Sequence, residues 1–239
     1  MTVLCIATNN RGKQSEFGEL LAEWPGEIAF PQDLGIDIEV EETGDSFAEI
    51  AALKARAYAT ASNLPSLADD SGLEVDALDG APGVHTARYA GSGASDQDRY
   101  RKLLTALGDT PYEQRTARFR CAVALAYPGG EATVVEGTCE GIISLKPRGD
   151  RGFGYDPVFY LPEFGCTMAE LPPKVKNEIS HRARAIQAVR PLLEALLRCQ
   201  PPRRLRTSVH DPKADPKNPV TFAARFSSLG EPRPPTETE

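Results

Sequence analysis

Val3-Leu4-Cys5-Ile6-Ala7 is apolar at every position, and Thr8-Asn9-Asn10 follow without a gap. A strand with one wet face alternates, whereas a short continuous apolar run is typical of a buried strand. Phe17, Leu20, Leu21 and Trp24 then recur at helical spacing, with Thr8, Asn9 and Asn10 as capping side chains. Strand, polar turn with Gly12, helix: this opening is a βα unit of the kind that cradles phosphate.

The remaining elements are arranged around that strand. Glu27 to Phe30 reads as a second strand, and Ser46 with Glu49 is a capping-box signature. It opens a helix through Phe47, Ile50, Ala51, Ala55 and Tyr58. Pro65 to Ala68 reads as a short strand ending in the acidic turn Asp69-Asp70-Ser71-Gly72. Ser95 and Asp98 start a helix carrying Tyr100, Leu103, Leu104 and Leu107. Phe119, Cys121, Val123 and Leu125 alternate along a long strand, and Gly129-Gly130 turns it into a partner over Ala132 to Gly141. A last helix spans Ser180 to Cys199 with Ile186, Val189, Leu193, Leu196 and Leu197 inward; Pro191 should kink it or mark a fresh start. Residues 1–199 form the folded domain. Residues 200–239 are polar and proline-interrupted, with Val220-Thr221-Phe222 as the only apolar patch, and are expected to be disordered.

With 239 residues, 41% hydrophobic and 26% charged, the chain has the composition of a soluble globular protein. A net charge of −7 argues against a nucleic-acid-binding surface, and a basic pocket in an acidic protein suits a small anionic ligand. Cys5, Cys121, Cys139, Cys166 and Cys199 contain no Cys-x-x-Cys pair, which argues against zinc or a disulfide framework and for a reducing compartment. The first apolar run is too short for a signal peptide and no stretch reaches membrane-spanning length, so the expected location is the cytoplasm, away from membranes.

Several segments carry chemistry. Lys176, Ser180, His181 and Arg182 set two cations and an imidazole at a helix start, whose free N–H groups and dipole favour an anion. Phe153-Gly154-Tyr155-Asp156-Pro157 is a turn offering an aromatic face and a carboxylate to a flat, hydrogen-bonding ring. Phosphate at one end and a heterocycle at the other suggest a nucleotide. Thr8-Asn9-Asn10-Arg11-Gly12-Lys13 gathers hydroxyl, amide and ammonium groups at another helix start, without Walker A spacing. Glu41-Glu42-Thr43-Gly44 and Asp69-Asp70-Ser71-Gly72 are two acidic turns able to share Mg²⁺ with a substrate phosphate, and Asp70 at a strand end is well placed for it. Lys54 lies one turn after Ile50 and gains meaning only from this company. His85 lies among turn residues and reads as structural; His210, in the tail, carries no role.

The ordered set Thr8-x-Asn10-x-x-Lys13, Glu42-Thr43-Gly44, Phe47-x-Glu49, Lys54-Ala55, Asp69-Asp70-Ser71-Gly72-Leu73, Pro82-Gly83, Ala87-Arg88-Tyr89, Phe153-Gly154-Tyr155-Asp156-Pro157-x-Phe159, Lys176 and Ser180-His181-Arg182 resembles the inosine/xanthosine triphosphate pyrophosphatases over residues 1–198. The resemblance implies an elongated, two-lobed α/β fold: a central mixed β-sheet flanked by helices, with an active-site cleft between lobes. It implies a homodimer, one or more Mg²⁺ per subunit, and hydrolysis of dITP/ITP and XTP/dXTP to monophosphate and pyrophosphate, which cleanses the nucleotide pool. It also implies roles. Thr8, Asn9, Asn10, Arg11, Gly12, Lys13, Lys54 and Ser71 would hold the substrate, together with Phe153, Gly154, Tyr155, Asp156, Lys176, His181 and Arg182. Glu42 and Asp70 would hold the metal, and Asp70 would serve as general base, acting through one water if it is also a metal ligand. Donors on His181, Arg182 or the backbone near Phe153 would accept the 6-oxo group, with Tyr155 or Phe153 stacking on the base. Two positions depart from the family pattern: Ile50 stands where Asn is usual, and His85 where an aromatic is more frequent. A Maf-like nucleotide pyrophosphatase and a non-catalytic nucleotide sensor are the competing readings.

Overall fold

The computed structural model describes residues 2–198; the expectations for the tail, Cys199 and His210 lie outside the described residues. Seven strands form one mixed sheet: β1 (Val3–Ile6), β2 (Glu27–Ala29), β3 (Ser66–Val75), β4 (Thr116–Ala126), β5 (Ala132–Ile143), β6 (Phe159–Leu161) and β7 (Cys166–Thr167), ordered β2-β1-β3-β4-β5-β6-β7. β1 runs parallel to β2 and β3, and the remaining pairs are antiparallel. Among the described residues five α-helices accompany it: α1 (Arg11–Leu20), α2 (Phe47–Ser62), α3 (Asp96–Leu107), α4 (Pro173–Ile179) and α5 (His181–Arg198). The expected α/β class and mixed sheet are thus the observed ones. None of these helices is long and apolar enough to cross a membrane.

The period-2 geometry of a strand divides β1, β3 and β4 between two cores. Leu4, Ile6, Leu67, Cys121, Val123 and Leu125 face α1 and α5, meeting Phe17, Ile186, Val189 and Leu193. Cys5, Ala7, Ala68, Ala122, Ala124 and Ala126 face α2 through Phe47, Ala51, Ala55 and Tyr58. Alanines on that second face let α2 lie close to the sheet. A third core joins the far ends of β3, β4 and β5 to α3 and β6, around Leu73, Leu103, Phe119, Tyr155 and Phe159. Gly137 fixes where α5 begins: a Cβ there would lie 2.3 Å from the His181 carbonyl oxygen and 2.4 Å from Ala185 N. Only a residue without a side chain lets the first turn of α5 rest on β5.

Several elements differ from the sequence reading. Asp69-Asp70-Ser71-Gly72 is not an acidic turn at a strand end but the middle of β3. β4 pairs with β3 from Ser66↔Ala126 to Val75↔Ala117, so backbone pairing carries the strand through the carboxylates. α1 stops at Leu20, and Trp24 joins the same core from beyond it. Ser46 caps α2 by accepting from Glu49 N, but the Glu49 carboxylate accepts from Asp45 N rather than from Ser46 N. α5 is one helix that contains Pro191, which therefore marks no fresh start.

Candidate active site

β1 pairs with β3 only as far as Leu67, and the chain turns away after Ala7. Beyond that point the β3 edge at Asp70, Ser71 and Gly72 borders a cleft of about 410 Å³, floored by Ala7 to Asn10. The cleft therefore opens off the carboxyl end of β1, not of β3. Of the residues singled out in the sequence, Thr8, Asn9, Asn10, Lys13, Glu42, Lys54, Asp70, Ser71, Phe153, Gly154, Tyr155, Asp156, Lys176, His181 and Arg182 all line it. Arg11 and Gly12 do not: Arg11 points to solvent, and Gly12 lies beneath Phe153.

The start of α1 is built from local hydrogen bonds. Asn10 is the N-cap, its Oδ1 accepting from Lys13 N at 3.0 Å, and Thr8 Oγ1 accepts from Asn10 N at 3.2 Å. The helix dipole and its first N–H groups face this end of the cleft. Asn9 Nδ2 donates to the Tyr58 hydroxyl on α2 at 3.5 Å. A Cβ on Gly12 would come within 2.8 Å of Phe153 Cδ1, so the close approach this glycine permits is that of an aromatic ring.

The two adjacent aspartates point to opposite faces of the sheet. On the α2 side, Lys54 Nζ lies 2.8 Å from Asp70 Oδ1 and 3.4 Å from Glu42 Oε1. Burial pushes the Asp70 carboxyl above its ordinary range, although Lys54 opposes it. Burial also works against the Lys54 ammonium, but attraction to Asp70 and Asp69 outweighs it and holds the lysine above its usual value. On the α1 side, Asp69 is fully buried, and its Oδ2 accepts from Arg182 Nη2 at 2.8 Å and Nε at 3.2 Å. Lys13 Nζ stands 3.0 Å from Asp69 Oδ1, an ion pair by distance without hydrogen-bond geometry, since Oδ1 has no hydrogen-bond partner. Burial disfavours the Asp69 charge, yet Lys13 and Arg182 overcome it and hold the carboxyl far below the usual range.

Sequence reasoning missed Glu16, one turn along α1 from Lys13. It bridges Lys176 Nζ, 2.8 Å from its Oε1, and Arg182 Nη1. Lys176 also lies 2.5 Å from Asp156 Oδ2. The basic helix start expected at Lys176–Arg182 is therefore not a free anion site. Lys176 belongs to the last turn of α4, and both cations are already neutralised by buried carboxylates. Spacing on α1, with Glu16 three residues after Lys13, was the only available signal.

The aromatic turn is likewise committed internally. Phe153 N donates to Asp156 Oδ2 at 2.9 Å, and Gly154 N to Asp96 Oδ2 at 2.7 Å, so these N–H groups are not the expected base donors. The Tyr155 hydroxyl donates to Thr86 O at 3.1 Å, and the ring is buried in the third core. Phe153 is the half-buried ring, with Lys176 Nζ 5.1 Å from its centroid. His181 stacks on Phe119, centroids 4.8 Å apart and planes at 17°, and its buried Nδ1 has no partner. Burial, then the charges of Arg182 and Lys176, push its pKa well below the ordinary histidine value. The ring is neutral at physiological pH. Of the two departures, Ile50 is fully buried in α2, and the His85 ring is held by Arg88 outside the cleft.

Among the described residues, the lining carries six carboxylates (Glu16, Glu39, Glu42, Asp70, Asp96, Asp156) against five cations (Lys13, Lys54, Arg99, Lys176, Arg182). Such a cleft cannot neutralise a polyphosphate by itself; an added cation would be needed. Glu42 and Asp70 fit a hard divalent ion, which is usually held by one or two carboxylates and completes its shell with water and substrate oxygens. No group of three or more His, Cys, Asp or Glu side chains among the described residues offers a closed protein cage instead.

Comparison with known proteins places the chain in one family. A family model described as the Ham1 family matches residues 4–192. The dITP/XTP pyrophosphatase of Geobacillus kaustophilus is 55% identical over 186 residues, covering 78% of this chain and 91% of that protein. That of Legionella pneumophila is 52% identical over 196 residues, 81% and 99% of the two chains. The solved structure of the Staphylococcus aureus Ham1 protein superimposes with a TM-score of 0.73 at 43% identity, covering 81% of this chain and 99% of that one. A HAM1 protein from Coxiella burnetii gives 0.74 at 40%, with 82% and 100% covered.

Proposed function

This chain belongs to the Ham1 family, and we infer that it hydrolyses aberrant purine nucleoside triphosphates, dITP/ITP and XTP/dXTP, to the monophosphate and pyrophosphate. The observation that carries the reading is a single cleft. It joins a helix N-terminus with Lys13, a Lys54–Asp70–Glu42 cluster, and the Phe153 ring beside Lys176 and Arg182. Thr8, Asn10, Lys13 and Lys54 hold the triphosphate, and Phe153 covers the purine.

Glu42 and Asp70 hold Mg²⁺. When bound, the ion withdraws electron density from phosphoryl oxygens and makes water in its shell more acidic. As a metal ligand, Asp70 would orient the attacking water and accept its proton through one intervening water. Asp69 does not share the chemistry; it fixes Lys13 and Arg182 from behind. His181, neutral and stacked on Phe119, offers a ring donor toward the base, and a 6-amino group facing such a donor would go unpaired. The same reading makes the enzyme a cytoplasmic homodimer.

Pyrophosphate release from dITP, XTP, ITP, GTP and dATP, with and without Mg²⁺, tests the proposal. Expected are a metal requirement, a kcat/KM for dITP and XTP roughly 10⁴-fold above that for dATP, and no turnover by Asp70→Asn. Equal rates across the panel would overturn it.

A further inference from the structure

Most of the donors around the aromatic turn are already spent. Phe153 N and Gly154 N donate to Asp156 and Asp96, Arg182 is bonded through all three of its nitrogens, and Lys176 lies between two carboxylates. Arg99, in the first turns of α3, is different. It lines the cleft with its side chain 21% exposed, and its Nη1 donates to Asp96 Oδ1 at 2.5 Å. Its Nε is buried without a hydrogen-bond partner among the described residues. Asp96 therefore clamps two things at once: Oδ1 holds Arg99, and Oδ2 holds the Gly154 N–H.

We propose that Arg99 reads the base: its guanidinium donates to an exocyclic oxo oxygen of the purine lying against the Phe153–Asp156 turn. The proposal rests on the reading that the turn is the base end of the cleft. Shared anchoring on Asp96 ties Arg99 to that turn, whereas the proposed function gives Lys13 and Lys54 to the triphosphate. Pairing with Asp96 also cancels most of the guanidinium charge while leaving directional N–H donors. That combination suits a neutral ring oxygen better than a polyphosphate. A 6-amino group in the same place would meet donor with donor, so Arg99 adds to the oxo-over-amino preference.

The test measures kcat/KM for dITP, XTP and dATP in the full chain and in Arg99→Met, Arg99→Gln and Arg99→Lys. Losing a hydrogen bond from a charged group should lower dITP and XTP by about 10- to 100-fold in Arg99→Met, with no matching fall for dATP, whose 6-amino group loses an opposing donor. The oxo-over-amino ratio then contracts by the same factor, and Arg99→Gln, which keeps an amide donor, recovers part of it. An equal fall for all three nucleotides would assign Arg99 to phosphate or to folding and overturn the proposal, as would unchanged ratios. A parent enzyme that does not prefer dITP to dATP would instead sink the function itself, which separates the two failures.

Discussion

Asp69 and Asp70 are neighbours in one strand with opposite electrostatic surroundings, and replacing each by asparagine should separate structural charge from chemical charge. Asp69 has no solvent exposure in its side chain and holds Arg182 at 2.8 Å and Lys13 at 3.0 Å. Removing its charge strands two cations in the interior. Breaking a buried pair costs about 3–5 kcal/mol, and Arg182 keeps Glu16, so the loss belongs near the lower figure, about 3 kcal/mol. For a domain of this size, about 2–4 °C per kcal/mol gives a fall in Tm of roughly 6–12 °C. Asp70 is the reverse case. Burial raises its folded pKa, so its contribution favours the protonated form and is lost as pH rises through that pKa. At neutral pH the burial cost of its charge opposes the pairing with Lys54, and Glu42 at 3.4 Å keeps that lysine paired, so Asp70→Asn should melt close to the parent while losing turnover. The lowered pKa of Asp69 has the opposite sign: its stabilisation is present above the unfolded value of about 3.9 and disappears on acidification through the folded pKa, so Asp69→Asn should also flatten the acid limb of the stability curve. Urea unfolding and calorimetry at neutral and acid pH, with dITP turnover on the same samples, read all of this. Equal destabilisation by the two variants, or a loss below about 1 kcal/mol in Asp69→Asn, would refute the argument.

Gly12→Ala should leave Tm nearly unchanged, because the roughly 1 kcal/mol gain in helix propensity offsets the crowding. It should nevertheless lower kcat/KM for dITP about 10-fold or more by pushing Phe153, 2.8 Å from the added methyl, off the base; unchanged kinetics would remove Phe153 from substrate contact. His181 binds a proton far more readily unfolded than folded, so stability should fall as pH drops below about 6.5. His181→Gln should abolish that slope, measured as Tm against pH, whatever it costs in stacking on Phe119.

What could be read from the chain alone divides according to how far away each side chain's partners lie. The α1 start was legible because Asn10 and Thr8 bond to backbone within three residues. The β4–β5 hairpin was legible because Gly129 and Gly130 close it locally. Asp69-Asp70-Ser71-Gly72 looked like a turn because acidic and glycine residues favour turns, and nothing nearby announces that β4, some fifty residues later, will pair through them. Glu16 and Arg99 were invisible as site residues for the same reason. Glu16 meets Arg182 across 166 positions, and Arg99 joins the aromatic turn only through Asp96, 58 positions from Gly154. Composition did carry one deeper message. The acidic balance seen over the whole chain recurs at the cleft, where Lys13, Lys54, Arg99, Lys176 and Arg182 each face a carboxylate, Lys13 and Arg182 sharing Asp69. A site preorganised in this way holds its cations rigidly and gives them up to a polyanion only when a further positive charge arrives with it. Nucleotide and divalent ion should therefore bind as a coupled pair, each raising the affinity of the other by the same factor.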